Sequence, residues 1–176
     1  MGTMESLRGK LLIAAPSLFD FFRRTVILMV EHNEEGAFGV VLNRASETTV
    51  DEAVPALSDL AGADEPVRIG GPVGPDSVVI LGEFEDPEDS PRIVVGDVGI
   101  VDPEDEAELR RARVYAGHSG WGPGQLEGEL ESEAWLVEDA SPEDPFRTDD
   151  VWSTALQRRG GEYVLLATMP DDPSLN

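Results

Sequence analysis

Residues 117–127, Gly-His-Ser-Gly-Trp-Gly-Pro-Gly-Gln-Leu-Glu, form a glycine segment that contains many of the side chains in this sequence able to do chemistry. A histidine and a glutamate can exchange protons, serine and glutamine can form hydrogen bonds, and tryptophan can stack on a flat ligand. The glycines between them carry no side chain, which lets a ligand or another strand approach the backbone closely. The segment therefore predicts a binding site that involves His118, Ser119, Gly120, Trp121, Gly122, Gly124, Gln125 and Glu127.

A second group of polar residues lies near the N-terminus. The first 50 residues contain six acidic and five basic side chains, so a guanidinium there has few competing carboxylates nearby in the sequence. Arg24 or Arg44 could hold a carboxylate or phosphate through two parallel hydrogen bonds, with His32, Asn33 and Asn43 adding contacts. The same residues also have structural interpretations: a histidine bonded into a turn, asparagines that satisfy backbone groups, and arginines paired with acids.

A third motif, Gly-Gly-Pro-Val at residues 70–73, predicts a tight turn that begins with Gly70 and Gly71. We expect this turn, the turn after His32 and the glycine segment to meet around one pocket. The pocket would bind a small anionic or nucleotide-like ligand in a non-enzymatic binding or regulatory domain. In that case, His32 or Asn43 should lie within about 8 Å of the glycine segment and border the same cleft.

An enzymatic interpretation uses some of the same residues. A hydrolase or transferase could use His118 and Glu127 as acid and base, or Glu31 with His32. The serines lack the Gly-x-Ser-x-Gly context of a nucleophile elbow, and two histidines 86 residues apart have no metal-ligand spacing. Neither a dinucleotide fingerprint nor a Walker lysine loop is present. The sequence therefore predicts no cofactor and no metal.

The net charge of −23 comes from 36 acidic and 13 basic residues. Residues 51–176 alone contain thirty acidic and eight basic side chains. DNA binding requires lysine and arginine to neutralise phosphates, so this surplus of carboxylates argues against direct nucleic-acid binding. It also supports a third functional interpretation, a module that binds a protein partner through an acidic surface.

The length of 176 residues fits one domain with its own core. The absence of cysteine agrees with a reducing compartment, and we expect the protein to be cytoplasmic. The longest apolar run, near residues 26–30, is far shorter than the roughly 18 residues that a membrane span requires. We therefore expect no membrane association.

The hydrophobic pattern intersperses strands and helices without regular alternation, which predicts an α+β fold with a mixed sheet. Two of the early strands are almost continuously apolar, which indicates burial on both faces. Thr49 is expected to cap the first helix and Pro55 to make it irregular. Strands are predicted at residues 10–15, 25–31, 37–43, 67–69, 78–84, 92–95, 114–116, 134–137 and 163–168, and helices at residues 50–60, 104–112, 125–131 and 149–159.

Four motifs in this order and spacing resemble the YqgE/AlgH family of bacterial proteins. They are LLIAAP at 11–16 with RTV at 24–26, EHN at 31–33 with GAFGVVLNR at 36–44, GGPV at 70–73, and the glycine segment. Two positions depart from the family pattern. Ala45 stands where a proline usually follows the asparagine-arginine pair, and Ser119 stands where alanine usually precedes glycine-tryptophan.

The resemblance implies a single α+β domain over residues 1–170, with a forked mixed sheet folded into a pseudo-barrel and flanked by helices. Residues 171–176 would form a frayed tail. The function of the family is unsettled. One member is named for a regulatory link to alginate production, and the label of transcriptional regulator derives from it.

Overall fold

The computed structural model describes residues 6–15, 24–105, 107–147 and 151–159. The strands are β1 (Lys10–Ala14), β2 (Val26–Asn33), β3 (Gly36–Val41), β4 (Ala45–Thr49), β5 (Pro66–Ile69), β6 (Val73–Phe84), β7 (Arg92–Val95), β8 (Val98–Ile100), β9 (Leu109–Trp121) and β10 (Trp135–Asp139). The helices are α1 (Val50–Ala53), α2 (Ser58–Ala61), α3 (Gln125–Glu131) and α4 (Val151–Arg159), and short 3₁₀ turns occupy Pro55–Leu57, Pro87–Asp89 and Asp144–Phe146.

The sheet branches at the long strand β9. Two branches, β10-β1-β2-β3 and β6-β8-β7, meet at β9 to form the main path β10-β1-β2-β3-β9-β6-β8-β7, and all pairings along it are antiparallel. β5 leaves this path, because it pairs in parallel with β9 at Tyr115 and Ala116 and carries β4 on its other side. The α+β class and the mixed, forked sheet predicted above are therefore confirmed.

The branched sheet curls without closing into a barrel. Near the start of β1, a Cβ built on Gly9 would lie 2.7 Å from the carbonyl oxygen of Val94 in β7, so these two parts of the sheet are in close contact. Among the described strands, however, no ladder joins β7 to β10 or β1, and the sheet remains open. The two branches enclose a core that also receives Trp152 and Leu156 from α4.

Each face of β2 contacts a different core. Val26, Leu28 and Val30 belong to the core between the branches, whereas Ile27 and Met29 pack into a second core with residues of β1 and α3. All five residues have zero exposure. The predicted burial of this continuous apolar strand on both faces is confirmed.

The predicted helix at 104–112 is wrong, because β9 begins at Leu109. The Asp102 carboxylate does accept from the backbone N–H of Glu104 at 2.9 Å, but the chain makes only a turn there. Arg111 pairs with Glu83 of β6 across the antiparallel ladder. The helix-like charge pattern was overridden by a strand whose alternate side chains find partners on neighbouring elements.

The bounds of α1 and α2 follow from a capping residue and a proline. Thr49 caps α1 by accepting from the N–H of Glu52 at 3.3 Å, as predicted, and Pro55 starts a 3₁₀ turn that separates α1 from α2. The sequence prediction missed β4 and β8, which are short strands. The predicted strand at 163–168, the N-terminal turn of the predicted helix at 149–159, and the tail at 171–176 lie outside the described residues.

Within the described residues, none of the helices is long and apolar enough to cross a membrane.

The described residues contain several arginine–carboxylate pairs, including Arg92 with Glu31 at 2.7 Å and Arg110 with Glu85 at 3.2 Å. The whole chain has 36 acidic and 13 basic residues, so acidic side chains outnumber basic ones by 23.

This surplus predicts that salt stabilises the protein. The Debye length shrinks from about 30 Å at 0.01 M to about 10 Å at 0.1 M salt, so added sodium chloride should weaken carboxylate repulsion more than it weakens contact ion pairs. We expect the thermal unfolding midpoint at pH 7 to rise over this range. A midpoint that falls with salt would mean that the arginine–carboxylate pairs dominate the electrostatic free energy of folding.

Candidate functional site

The glycine segment crosses the 70–71 turn at a junction where two backbones touch. A Cβ built on Gly70 would lie 2.4 Å from the carbonyl oxygen of Gly117, and one on Gly71 would lie 2.2 Å from the carbonyl carbon and oxygen of His118. Gly117 has φ +72°, and its Cβ would lie 2.6 Å from the carbonyl oxygen of Gly71. These distances leave no space for side chains, so backbone crossing explains all three glycines.

Ser119 belongs to the same junction. Its hydroxyl is fully buried and donates to the carbonyl oxygen of Gly70 at 3.1 Å. That oxygen also accepts from the N–H of Val41 at 2.9 Å, and the N–H of Gly70 donates to Ala116 at 2.8 Å. The serine therefore helps to bind the 70–71 turn between β3 and β9, which gives the departure from the family pattern a structural role.

His32 joins β2 to α3. Its Nδ1 accepts from the backbone N–H of Leu7 at 3.0 Å, so the other ring nitrogen of the neutral ring carries the hydrogen. This Nε2–H donates to Glu127 Oε1 at 2.9 Å. The His32 side chain is 3% exposed and that of Glu127 is 36% exposed. Both ring nitrogens are used in holding Leu7, just before β1, and α3 against β2.

The carboxylate of Glu129 holds Trp121 and Gln125 of the glycine segment in place. Glu129 Oε1 accepts from the indole N–H groups of Trp121 at 3.0 Å and Trp135 at 2.8 Å. Gln125 donates to Glu129 Oε2 at 3.2 Å and accepts from the N–H of Gly122 at 3.0 Å. Trp121 is 7% exposed and contacts Trp135 edge to face, so it is a core residue.

Gly120, Gly122 and Gly124 have more space around them than the junction glycines. A Cβ on Gly120 or Gly122 would meet its nearest neighbour at 3.9 Å, and one on Gly124 would meet nothing within 4 Å. Gly124 has φ +77° at the residue that caps α3. These three glycines are not explained by close packing, although the left-handed conformation of Gly124 favours glycine.

The two predicted asparagines satisfy backbone groups. Asn33 accepts from the N–H of Glu35 at 2.8 Å within the β2–β3 turn. Asn43 accepts from the N–H of Val26 at 2.9 Å and donates to the carbonyl oxygen of Arg24 at 2.8 Å, which extends the contact between β2 and the chain after β3. The guanidinium of Arg24 lies 4.5 Å above the ring of Trp152.

The predicted site residues are spread along β3, because Trp121 pairs with Ala37, Ser119 pairs with Gly39, and Gly70 accepts from the N–H of Val41. His32 lies within the expected distance of the glycine segment through its bond to Glu127 at 2.9 Å, but neither His32 nor Asn43 lines the shallow cleft of about 250 Å³ that Asn33 and Trp121 border. Asn43 and Arg44 follow the C-terminal end of β3, six or seven residues beyond Ala37, which corresponds to roughly 20 Å along a strand. The cleft near Ala37 is also bordered by two carboxylates, those of Glu31 and Glu35.

A larger groove lies between the two branches of the sheet. We call it the fork groove; it has a volume of about 330 Å³ and is lined by Val30, Phe38, Val78, Val79, Ile80, Pro91, Arg92, Ile100 and Val101. Val78 is 48% exposed, which is unusual for a large apolar side chain in this protein. At the rim, Arg92 pairs with Glu31 of β2 at 2.7 Å, and both side chains are partly exposed (40% and 31%). The ring of His118 packs edge-on against Phe38, with 5.3 Å between centroids.

Residues 11–164 match the family model that is described as AlgH-like. The chain belongs to the AlgH-like family. A UPF0301 protein of Streptomyces coelicolor is 42% identical, with 100% of this chain and 98% of the relative covered. A UPF0301 protein of Mycobacteroides abscessus is 44% identical, with 96% and 87% covered.

Two solved structures share the AlgH-like fold described above. The crystal structure of a protein from Corynebacterium diphtheriae has a TM-score of 0.83 and 32% identity, and covers 96% of this chain and 95% of its own. The solution structure of the AlgH protein from Pseudomonas aeruginosa has a TM-score of 0.72 and 28% identity, with 97% of each chain covered. The predicted family is therefore confirmed.

The histidines of this AlgH-like chain are not arranged in the acid–base pairs considered from sequence. Glu127 accepts from His32, His118 contacts Phe38, and Glu31 pairs with Arg92. Among the described residues, no three histidine, aspartate or glutamate side chains are grouped in a way that could hold a metal ion.

The sequence does not predict the fork groove, because the groove depends on how the branches pack. Phe38 stands out in the sequence only as part of a family motif, and Arg92 only as the start of a strand. One signal was available in the sequence, because the apolar residues at 78–80 directly follow the turn-forming residues Gly-Pro-Asp-Ser at 74–77. An apolar run that begins at the end of such a stretch is compatible with a partly exposed binding surface.

Proposed function

We propose that this AlgH-like protein is a non-enzymatic binding domain whose fork groove holds a small ligand with an apolar body and an anionic end. The observation that carries the proposal is the combination of a 330 Å³ apolar groove with one guanidinium at its rim. Ligand sites commonly have volumes of about 300–1,000 Å³, mainly apolar walls and a few polar groups that orient the ligand. Val78 and Phe38 would contact the apolar body, and Arg92 would bind the anionic end.

The Glu31–Arg92 pair makes the guanidinium available at little cost. Ion pairs between partly exposed side chains contribute about 0–1 kcal/mol, because water solvates both partners well when they separate. A carboxylate or phosphate of the ligand could therefore replace Glu31 and form two parallel hydrogen bonds with Arg92. The apolar contacts in the groove would supply the remaining binding free energy.

The hydrogen bonds of His32 support binding rather than catalysis. A general base needs a free ring nitrogen within hydrogen-bond reach of the substrate. Both nitrogens of His32 are engaged by Leu7 and Glu127. A hydrolase or transferase that uses His32 as its base would require one of these two bonds to be broken first.

A regulatory role, if present, would act through the ligand or through a protein partner. The charge of −23 disfavours direct contact with DNA phosphates. Ligand in the fork groove would contact β2 and β3 on one branch and β6 and β8 on the other, and could fix their separation. An acidic surface that changes with this separation could then be recognised by a basic protein partner.

A thermal-shift panel tests the proposal. The panel contains nucleotides and carboxylates with apolar tails of increasing length, at one ionic strength. At a hundredfold excess over its dissociation constant, a ligand should stabilise the native state by about 2.7 kcal/mol and raise Tm by about 5–10 °C. We expect tailed carboxylates to do so in the wild type, and Arg92→Gln to remove most of the shift.

Arg110→Gln is the matched control, because Arg110 also forms exposed ion pairs but lies outside the groove lining. This variant should respond to the ligand as the wild type does. The proposal is contradicted if no compound stabilises the wild type, or if Arg92→Gln and Arg110→Gln respond equally.

A further inference from the structure

A pair of buried arginines lies where β5 meets β9. Arg68 of β5 is 9% exposed and Arg113 of β9 is 8% exposed. Arg68 is directly opposite Tyr115 in the parallel ladder, and Arg113 precedes Tyr115 by two residues, so the three side chains share one face of the sheet. Tyr115 has zero exposure. Fully or nearly buried charged side chains are rare unless they are paired.

The two guanidiniums share a single carboxylate. Arg113 Nη1 donates to Glu65 Oε2 at 2.6 Å, and Arg68 Nη2 is 3.7 Å from the same oxygen. Within the described part of the chain, Glu65 is the only carboxylate within 4 Å of either arginine. Its side chain is 34% exposed, so it enters the cluster from the surface. Two positive charges therefore face one negative charge at a buried position.

Three polar atoms of the cluster are buried without a hydrogen-bond partner. They are Arg68 Nε, Arg113 Nε and Tyr115 Oη. Burial and the charge of Arg113 lower the pKa of Arg68, and burial raises the pKa of Tyr115. The phenol is therefore neutral at physiological pH and can donate. A buried donor without an acceptor destabilises the folded state, so three such donors together require an explanation.

We propose that Arg68, Arg113 and Tyr115 form a binding site for a small oxyanion, a phosphate or a carboxylate. Such an anion supplies acceptors for the unpartnered donors and balances the second guanidinium. Buried water could accept hydrogen bonds but would leave the excess positive charge in place. Glu65 is the built-in competitor, because its carboxylate occupies part of the site and can move outward into solvent.

This site is separate from the fork groove, since none of its three residues lines that groove. Its ligand is defined by charge and hydrogen-bond acceptors alone, without an apolar body. Failure of the oxyanion site would therefore leave the proposed function of the fork groove unaffected, and the reverse also holds.

The test is thermal unfolding in inorganic phosphate at fixed ionic strength. Chloride is exchanged for phosphate at constant total screening, because salt itself is expected to stabilise this acidic protein. At phosphate tenfold above its dissociation constant, Tm of the wild type should rise by about 3–6 °C. In Glu65→Gln the same rise should occur at lower phosphate concentration, since the competing negative charge is gone.

Arg68→Gln should abolish the phosphate-specific rise. Arg68 makes only the 3.7 Å contact with Glu65, so this variant should fold, whereas Arg110→Gln should keep the full response as a matched control. Calorimetric titration of wild type and Arg68→Gln with phosphate gives the same comparison without unfolding. The proposal is overturned if phosphate has no effect beyond chloride in either the wild type or Glu65→Gln, or if Arg68→Gln still responds.

Discussion

Gly71→Ala should destabilise the native state by about 3 kcal/mol, because overpacking against rigid atoms cannot be relieved by side-chain rotation. The added Cβ would lie 2.2 Å from the carbonyl carbon and oxygen of His118 and 2.4 Å from the nitrogen of Ser119. All three atoms are backbone atoms of β9, so relief requires the 70–71 turn to move away. That movement would also break the bond from Ser119 to Gly70. Urea unfolding measures the loss.

Gly128→Ala is the matched control. Gly128 lies inside α3, and a Cβ there would meet nothing within 4 Å. The substitution should stabilise the protein by about 0.5–1 kcal/mol, the usual gain from alanine within a helix. Similar unfolding free energies for Gly71→Ala and the wild type would show that the junction can open at little cost, and close packing would no longer explain its glycines.

The junction shows what the glycine motifs could and could not predict. Closely spaced glycines indicate that something approaches the backbone, and the sequence predicted such an approach for the glycine segment that begins at Gly117, whereas it predicted only a tight turn at residues 70–71. It could not distinguish a ligand from another strand, because both require the same absence of side chains. The structure places backbone of the same chain at this distance. Two of the predicted site residues, Gly70 and Gly71, therefore have a structural explanation.

The arginines of β9 show why one element was predicted wrongly. Acids followed by arginines are typical of a helix with favourable charges at its ends. In the structure these arginines lie on the strand β9. Arg111 and Arg113, two residues apart, are on the same face of this strand, where Arg111 reaches Glu83 and Glu143, and Arg113 reaches Glu65. Only the positions of β6, β5 and the turn after β10 reveal these partners, and this information is not local in the sequence.

The candidate sites depended on tertiary structure even more strongly. The link between His32 and Glu127 joins residues 95 apart, and the sequence predicted only that their two segments approach each other, not the bond itself. Arg92 and Phe38 come together because the branches curl toward each other. Arg68 and Tyr115 become neighbours through a parallel pairing that no turn signal specifies. Local patterns therefore located strands well, whereas the relation between strands determined the sites.

Asp144→Ala should also destabilise the protein by about 3 kcal/mol, since it removes the buried member of an ion-pair network. The Asp144 side chain has zero exposure. One oxygen accepts from the N–H of Ser141 at 2.7 Å, and the other accepts from Arg147 and from Arg158 of α4. The substitution leaves two guanidiniums and a backbone donor without this acceptor, and it loosens α4 from the turn after β10. Partial exposure of the arginines, 33% and 31%, keeps the loss at the lower end of the range for buried pairs.

Asp139→Ala provides the same chemical change at an exposed site. Asp139 pairs with Lys10, but its side chain is 81% exposed, so its loss should cost less than about 1 kcal/mol. Asp144→Asn should give an intermediate loss, because it keeps the shape and one acceptor oxygen but removes the charge. Denaturant unfolding of the three variants measures these differences. If Asp144→Ala costs no more than Asp139→Ala, Arg147 and Arg158 must find other acceptors among the many carboxylates of this chain, and Asp144 does not fix α4 to the sheet.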